Sequence, residues 1–252
     1  NWEDPRVGIG RKVREIKSCG EIGIMTGTDA VSLKRAGRFY NCDLQARDGV
    51  RTANVPAVIL ATGFGLIDCS RYGEYGYGIY PGVVNSLDFE GLLESWMGGG
   101  GPPPPESVGF IQCVGSRDRA KGFPYCSKIC CMYTARQAGT FRDLFPGSRC
   151  CVFYIDIRAA GKGYEEFVRS VIEDRKVRYI RGRPGKVLPT NGRLLIRSED
   201  TLMGVPVEIE ADMVVLAPAV VPGPETAKLA QTLGIAADRY GFPEDGAGLP
   251  EG

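Results

Sequence analysis

Strand-like and helix-like segments alternate along the second half of the chain, and this alternation most constrains its fold. Short apolar runs predict strands at residues 108–112, 150–157 and 177–180. Between them, residues 130–145 and 164–174 carry apolar side chains at the spacing of amphipathic helices. Strands that alternate with helices form βαβ units with a parallel sheet. The sequence therefore predicts an α/β fold with a parallel, Rossmann-like sheet.

An antiparallel β-meander is predicted after the third strand. Residues 186–188, 194–197 and 205–209 alternate polar and apolar side chains, and Asn191-Gly192 is a strong hairpin turn. A further buried strand is predicted at residues 213–217, followed by a short helix at 225–233.

The first half of the chain predicts a smaller, separate block. Residues 22–25, 31–33 and 39–44 are strand-like runs broken by turns, and residues 56–63 have the pattern of a buried strand that ends in a glycine turn. Four glycines followed by four prolines at residues 98–105 are the clearest break. We therefore expect four segments, namely a domain over residues 1–64, a linker with a Gly/Pro hinge over 65–105, the Rossmann-like domain over 106–222 and a return segment over 223–252.

Composition excludes several classes of function. The chain has 31 Lys and Arg against 30 Asp and Glu, and this near-zero net charge argues against a nucleic-acid-binding protein, which needs clustered positive charge. It has no His, which rules out a Ser-His-Asp triad or a His zinc ligand. No apolar stretch is long enough to cross a membrane and no signal peptide opens the chain, so we expect a cytoplasmic location. The first residue is not Met, so we expect an internal fragment of a longer protein.

Four cysteines cluster around one predicted strand-to-helix connection. Cys126, Cys130 and Cys131 lie within six residues, and Cys113 ends the predicted strand before them. Clustered cysteines in a reducing compartment favour metal ligands or redox thiols over disulfides. The three later thiols can converge only if the helix begins near Cys130, with Cys126 in the preceding loop. Gly115 would help that loop to close.

Two metal sites suit four thiolates without imidazole: an iron–sulfur cluster or an all-cysteine zinc site. Zinc sites prefer paired knuckles, whereas this spacing is irregular, so a four-iron cluster is favoured and zinc remains the alternative. For the other five cysteines we expect packing roles, with the neighbours Cys150 and Cys151 on opposite faces of a strand.

The sequence around these cysteines resembles the A-type subunit of heterodisulfide reductase and its relatives. The resemblance extends over about residues 22–242. The matching segments are 74–78, 110–118, 124–133, 153–159, 161–166, 179–183 and 199–201.

This resemblance implies an iron-sulfur flavoprotein with a thioredoxin-reductase-like pair of domains. It implies that Cys113, Cys126, Cys130 and Cys131 hold a [4Fe-4S] cluster, and that the 1–64 segment is an incomplete FAD domain. By the same resemblance, Thr62, Gly63 and Phe64 close the first FAD-binding segment. The implied partners are other redox subunits of a complex, including iron-sulfur subunits, ferredoxin and a hydrogenase- or formate dehydrogenase-type donor. The implied function is electron transfer in an oxidoreductase complex.

The turn after the first strand of the Rossmann-like domain does not match a dinucleotide-binding motif. A nicotinamide site needs a G-x-G-x-x-G turn after the first strand, and this chain has Cys113-Val114-Gly115-Ser116 there. We therefore expect no NAD(P)H binding, although an NAD(P)H-dependent oxidoreductase domain remains a third hypothesis. Residues 7–10 contain two glycines but no preceding strand, and we predict a loop there. We also expect the chain alone to retain FAD poorly.

Overall fold

The structure is a computed structural model that describes residues 5–244. These residues form two compact units, one of residues 5–63 and 222–244 and the other of residues 64–221. The helices are α1 (Pro5–Ser18), α2 (Ser86–Met97), α3 (Cys130–Leu144), α4 (Tyr164–Glu173) and α5 (Thr226–Thr232). The strands are β1 (Asp29–Ala36), β2 (Phe39–Ala46), β3 (Gly49–Val55), β4 (Phe64–Leu66), β5 (Val83–Asn85), β6 (Ser107–Val114), β7 (Arg149–Tyr154), β8 (Arg178–Arg181), β9 (Lys186–Thr190), β10 (Arg193–Asp200), β11 (Val205–Ala211), β12 (Met213–Pro218) and β13 (Val220–Pro222).

A five-stranded parallel sheet forms the centre of the second unit. Its strand order is β5-β12-β6-β7-β8, and every neighbouring pair is parallel. All eight residues of β6, the middle strand, are buried. A strand that is covered on both faces carries mostly apolar side chains along its whole length, rather than alternating apolar and polar ones. Residues 107–114 have this pattern. The prediction of an α/β fold with a parallel sheet is confirmed.

The two faces of this sheet are covered by different layers. The antiparallel meander β11-β10-β9 packs on one face, where Val187, Leu194 and Ile196 join the core. Helices α2, α3 and α4 pack on the other face, where Phe89 and Phe141 are fully buried. Two hydrophobic cores therefore flank one sheet, as in Rossmann-like domains.

Residues 65–105 are folded onto the sheet, which differs from the predicted linker. β5 pairs with β12 along residues 83–85, and α2 packs against α3. The capping box of Asn85 and Asp88 begins α2, and Phe89 supplies its core contact. The Gly/Pro run at residues 98–105 is the return from α2 to β6 within the unit, anchored by a hydrogen bond from the Trp96 indole to the Pro102 carbonyl. The glycines and prolines thus form a turn within the unit. The segment before them is not a linker, because the apolar face of α2 packs against the rest of the unit.

The first unit contains the antiparallel sheet β1-β2-β3 and the helices α1 and α5. Two predicted strands are wrong: residues 22–25 and 56–63 form no strand, and the Ile59 side chain is 89% exposed. Neither segment pairs with a strand of the described residues, so its backbone groups lack ladder partners. Residues 7–10, predicted as a loop, lie inside α1.

Residues 223–244, the described part of the predicted return segment, belong to the first unit. Residues 1–4 and 245–252 also belong to predicted segments, but they lie outside the described residues. Across residues 5–244, no helix is both long and apolar enough to cross a bilayer.

Candidate metal centre

The four cysteines of the predicted site lie at the carboxyl edge of the parallel sheet. Cys113 is the penultimate residue of β6, and Cys130 and Cys131 are the first two residues of α3. Cys126 lies in the connecting loop, as predicted from the helical geometry. Because α3 follows β6 and packs on the sheet beside it, the start of the helix meets the end of the strand. This edge is where open α/β sheets place their ligands.

The connection between β6 and α3 carries unusual backbone conformations. Cys113, Arg117 and Lys128 have φ values of 60°, 56° and 63°, in the left-handed region that costs a non-glycine residue about 1–2 kcal/mol. The loop folds back on itself, because the Phe123 amide donates to the Gly115 carbonyl at 2.8 Å. Such strain persists only where surrounding contacts enforce it, and it concentrates at ligand sites.

Three of the four thiols are buried and lie in contact. Cys113, Cys130 and Cys131 are 2%, 1% and 4% exposed. The Cys130 thiol hydrogen-bonds to the sulfur atoms of both Cys113 and Cys131. Among residues 5–244, no group of three or more His, Cys, Asp or Glu side chains has the arrangement of ligands around a single metal ion.

Hydrogen bonding within this group changes the acidity of the thiols. The hydrogen bond from Cys130 lowers the pKa of Cys113, and the Arg117 guanidinium acts in the same direction. The pKa of Cys131 falls to about 7, first because of the Cys130 thiol and then because of the backbone N–H of Arg158. The pKa of Cys130 is raised, first by its hydrogen bonding to the sulfurs of Cys113 and Cys131, which share its one proton, and then by burial. The lowered pKa values of Cys113 and Cys131 favour the thiolate, which is the form of cysteine that binds metal.

Charged groups surround the buried sulfurs. The Arg117 guanidinium lies 2.5 Å from Asp156, and Arg158 lies 3.2 Å from the same carboxylate. The Cys126 sulfur accepts a hydrogen bond from the Lys128 amide at 3.4 Å. Positive charge and backbone N–H groups are thus directed toward the site, as a negatively charged metal–thiolate centre requires.

A buried glutamine next to Cys113 was not identified from the sequence. Gln112 is 2% exposed, and its Oε1 accepts from the Cys131 thiol at 3.7 Å. Its Nε2 has no hydrogen-bond partner among the described residues. Asp156 and Arg158 were missed as well. They follow β7, and the rule that carboxyl ends of neighbouring parallel strands meet at one edge could have found them.

The remaining cysteines of the second unit serve as buried apolar residues. Cys150 and Cys151 pack into the two hydrophobic cores on opposite faces of the sheet, as predicted. Burial raises the pKa of each thiol to about 12, and burial likewise raises the pKa of Cys69 to about 12. These thiols therefore stay protonated near neutral pH.

Two of the three predicted cofactor contacts lie at the end of the first unit's first segment. Thr62 and Gly63 line a cavity of about 560 Å³, together with Thr226 and Phe242 of the same unit. The Thr226 hydroxyl is buried and has no partner in the described part of the chain. Phe64, the third predicted contact, begins β4 of the second unit and is 52% exposed.

Comparison with curated proteins finds the A-type subunits of several heterodisulfide reductases. The A-type iron-sulfur subunit of the CoB--CoM heterodisulfide reductase from Methanocaldococcus jannaschii is 41% identical over 197 residues, which is 75% of this chain and 30% of that protein. The A-type subunit of the H(2):CoB-CoM heterodisulfide,ferredoxin reductase from Methanothermobacter thermautotrophicus is 40% identical over 196 residues, with the same shares. The A-type subunit of the H(2)/formate:CoB-CoM heterodisulfide,ferredoxin reductase from Methanococcus maripaludis is 38% identical over 197 residues, again with 75% and 30% covered. The chain thus spans about 30% of the length of these relatives.

Among solved structures, T. acidophilum thioredoxin reductase has a similar fold. Its TM-score is 0.52 at 15% identity, and the match covers 94% of this chain and 66% of that one. No family model matches the chain.

The fold and the cysteine site together define a thioredoxin-reductase-like α/β protein with a thiol-rich centre at the edge of its parallel sheet. Within that class, the chain is homologous to the A-type subunit of heterodisulfide reductase over three quarters of its length, which confirms the resemblance predicted from its motifs.

Proposed function

We propose that this chain is an electron-transfer part of a heterodisulfide reductase-like oxidoreductase complex and holds a [4Fe-4S] cluster beside FAD. The ligands are Cys113, Cys126, Cys130 and Cys131. The observation that carries the proposal is the convergence of three buried thiols from β6 and α3, two of them with lowered pKa values.

The side chains at this edge fit an iron–sulfur cluster. Cysteine thiolates are the usual ligands of such clusters, and a bound cluster supplies one-electron transfer. The protein's part is to keep the sulfurs deprotonated and dry. The charge of Arg117 and the backbone N–H of Arg158 favour the thiolate forms, and burial of Cys113, Cys130 and Cys131 excludes water.

Cys126 is proposed as the fourth ligand. It is half-buried in the loop before α3, and the Lys128 amide donates to its sulfur. A loop position gives this sulfur the freedom to complete a cluster that three rigid positions begin. Its spacing from Cys130 also matches the motif of the resemblance.

FAD is proposed as the second cofactor, contacted by Thr62 and Gly63, with Phe64 as the third predicted contact. The cavity beside Thr62 and Gly63 and the unpartnered hydroxyl of Thr226 support a ligand in the first unit. A dinucleotide phosphate or ribose would give that hydroxyl a partner.

The names of the relatives suggest the partners. Ferredoxin, H(2) and formate stand in the names of the Methanothermobacter and Methanococcus proteins. We propose that ferredoxin, further iron-sulfur subunits and a hydrogenase- or formate dehydrogenase-type donor exchange electrons with this chain. A cytoplasmic location fits nine free thiols, because reducing compartments preserve them.

Metal analysis of anaerobically purified protein tests the cluster. We expect about four iron atoms and four acid-labile sulfides per chain, with broad visible absorption. Replacing any one of Cys113, Cys126, Cys130 and Cys131 by Ser should abolish or sharply reduce the iron content. Cys150→Ser is the matched control, because Cys150 is also buried in the same sheet but packs into the core, and it should keep full iron.

Two outcomes contradict the proposal. One is a parent that carries stoichiometric zinc and no iron, which would identify a structural zinc scaffold. The other is full iron retained in all four Ser variants, which would place the cluster elsewhere.

A further inference from the structure

We infer that Gln112 donates a side-chain N–H hydrogen bond to the Cys131 sulfur and thereby raises the reduction potential of the cluster. This inference rests on the proposed function. Gln112 precedes the ligand Cys113 on β6, and its side chain reaches the first turn of α3 at Cys131. It is therefore a positioning residue that acts on the cluster through a ligand.

Two observations on the Gln112 amide point to this role. With Cys131 as a thiol, the sulfur donates to Gln112 Oε1 at 3.7 Å and lies 3.6 Å from the Asp156 carbonyl oxygen. In that orientation the other end of the amide, Nε2, is buried without any partner among the described residues. A buried N–H group without a partner destabilises the arrangement that leaves it so.

A cluster bound to Cys131 reverses the preferred orientation of the amide. A metal-bound thiolate has no proton to donate, so it faces two oxygen atoms that repel it, Gln112 Oε1 and the Asp156 carbonyl oxygen. The backbone carbonyl is fixed, but an amide turned by 180° presents Nε2 to the sulfur. One rotation thus removes a repulsive contact and gives the unpaired donor a partner. The oxygen and nitrogen atoms of an amide have nearly the same shape, so the surrounding packing accommodates both orientations.

This hydrogen bond would change the reduction potential of the cluster. Reduction adds negative charge to the cluster and its sulfurs, and a donor aimed at a sulfur stabilises the reduced form more than the oxidised form. The burial of Gln112 keeps water from replacing that donor. Loss of the donor should make one-electron reduction about tenfold less favourable, which corresponds to about 59 mV for a one-electron couple.

The test is a redox titration of the cluster-loaded protein, followed by electron paramagnetic resonance. Gln112→Met removes both amide groups with little change in volume, and its midpoint should be about 59 mV lower than that of the parent. Gln112→Asn keeps an amide and should restore part of the difference. Gln137→Met is the matched control: this buried amide on α3 donates to the Ser86 carbonyl and to Glu90 rather than to a cysteine, so its midpoint should equal that of the parent.

A second readout needs no variant. In the reduced parent labelled with amide-¹⁵N glutamine, electron–nuclear double resonance should show one ¹⁵N coupling to the cluster. A parent with a cluster but no such coupling overturns the inference alone, as do equal midpoints in the parent and Gln112→Met. A parent without iron overturns the proposed function and, with it, this inference.

Discussion

The Tyr72 hydroxyl donates a hydrogen bond to Asp118 Oδ2 at 3.0 Å, although the two residues are 46 positions apart. Tyr72 is fully buried just after the 3-10 helix Cys69–Arg71, and Asp118 lies in the loop between Cys113 and Cys126. Arg183 donates to the same carboxylate oxygen at 3.1 Å. The segment predicted as a linker therefore helps to hold the cysteine loop in place.

The first prediction concerns acid sensitivity at Asp118. Burial raises the pKa of this carboxyl, but hydrogen bonds from the amides of Lys121 and Ala120 and from the side chains of Arg183 and Tyr72 outweigh it and bring the pKa to about 2, from 3.8. A pKa depressed in the folded state means that the charged form stabilises folding by about 2 kcal/mol above pH 4. This contribution is lost as the pH falls from about 4 to 2. We expect Asp118→Asn to be less stable at pH 7 and to lose less stability on acidification.

Chemical unfolding at pH 7 and near pH 2.5 measures both effects. Asp174→Asn serves as the control, because Asp174 is exposed at the end of α4. If Asp118→Asn and the parent lost equal stability between the two pH values, the hydrogen bonds to Asp118 would not contribute in the way described.

The second prediction concerns the close packing of the cysteine loop at Gly122. A Cβ atom at this position would lie 2.2 Å from the Gly115 carbonyl oxygen and 2.5 Å from the Tyr72 hydroxyl. Gly122→Ala must therefore push this part of the loop away from Gly115 and Tyr72, and we expect a loss of about 1–3 kcal/mol together with lower iron content. At Gly147 nothing lies within 4 Å of such an atom, so Gly147→Ala is the control. Thermal unfolding and iron analysis of the two variants test this prediction. If Gly122→Ala were destabilised but kept its full iron content, metal binding would not depend on the packing of this loop.

The third prediction tests whether residues 83–97 fold as part of the sheet unit. The Asn85 side chain accepts hydrogen bonds from the amides of Leu87 at 2.8 Å and Asp88 at 3.0 Å, which caps α2. Removing such a cap costs about 1 kcal/mol. We expect urea unfolding of Asn85→Ala to show that loss, whereas Leu87→Ala, at a position that is 62% exposed, should be nearly neutral. Equal midpoints for the two variants would mean that the cap contributes nothing to the stability of the unit.

The fourth prediction is that residues 64–221 do not bind NAD(P)H, despite their Rossmann-like sheet. Dinucleotide sites bring backbone close to the pyrophosphate through a glycine-rich turn and the start of the following helix. Here Cys113 lies at the end of β6, directly before the turn, and the buried Cys130 and Cys131 occupy the start of the helix. Calorimetry with NADH and NADPH should detect only binding weaker than about 1 mM. Saturable micromolar binding would show that the cysteine site and a nucleotide site coexist.

Local patterns in the sequence were enough to predict most elements of the second unit. The apolar runs around Phe110, Val152 and Val215 became buried parallel strands, and the helix from Cys130 begins where the cysteine spacing required. These features depend on the alternation and periodicity of neighbouring residues, which are properties of the local sequence alone. The convergence of Cys113 with Cys130 and Cys131 followed in turn from the order of strand and helix.

Only the tertiary structure decided which distant segments meet. β5 pairs with β12, about 130 positions later in the chain, and no local pattern at Val83 specifies that partner. Gln112 is a further example: alternation places it on a buried strand, but only the packing of α3 brings Cys131 to its amide. Conversely, residues 56–63 have the pattern of a buried strand but form none, because a strand forms only where another strand supplies its hydrogen bonds. Sequence periodicity determines which residues can form an element, whereas long-range pairing and packing determine what that element touches.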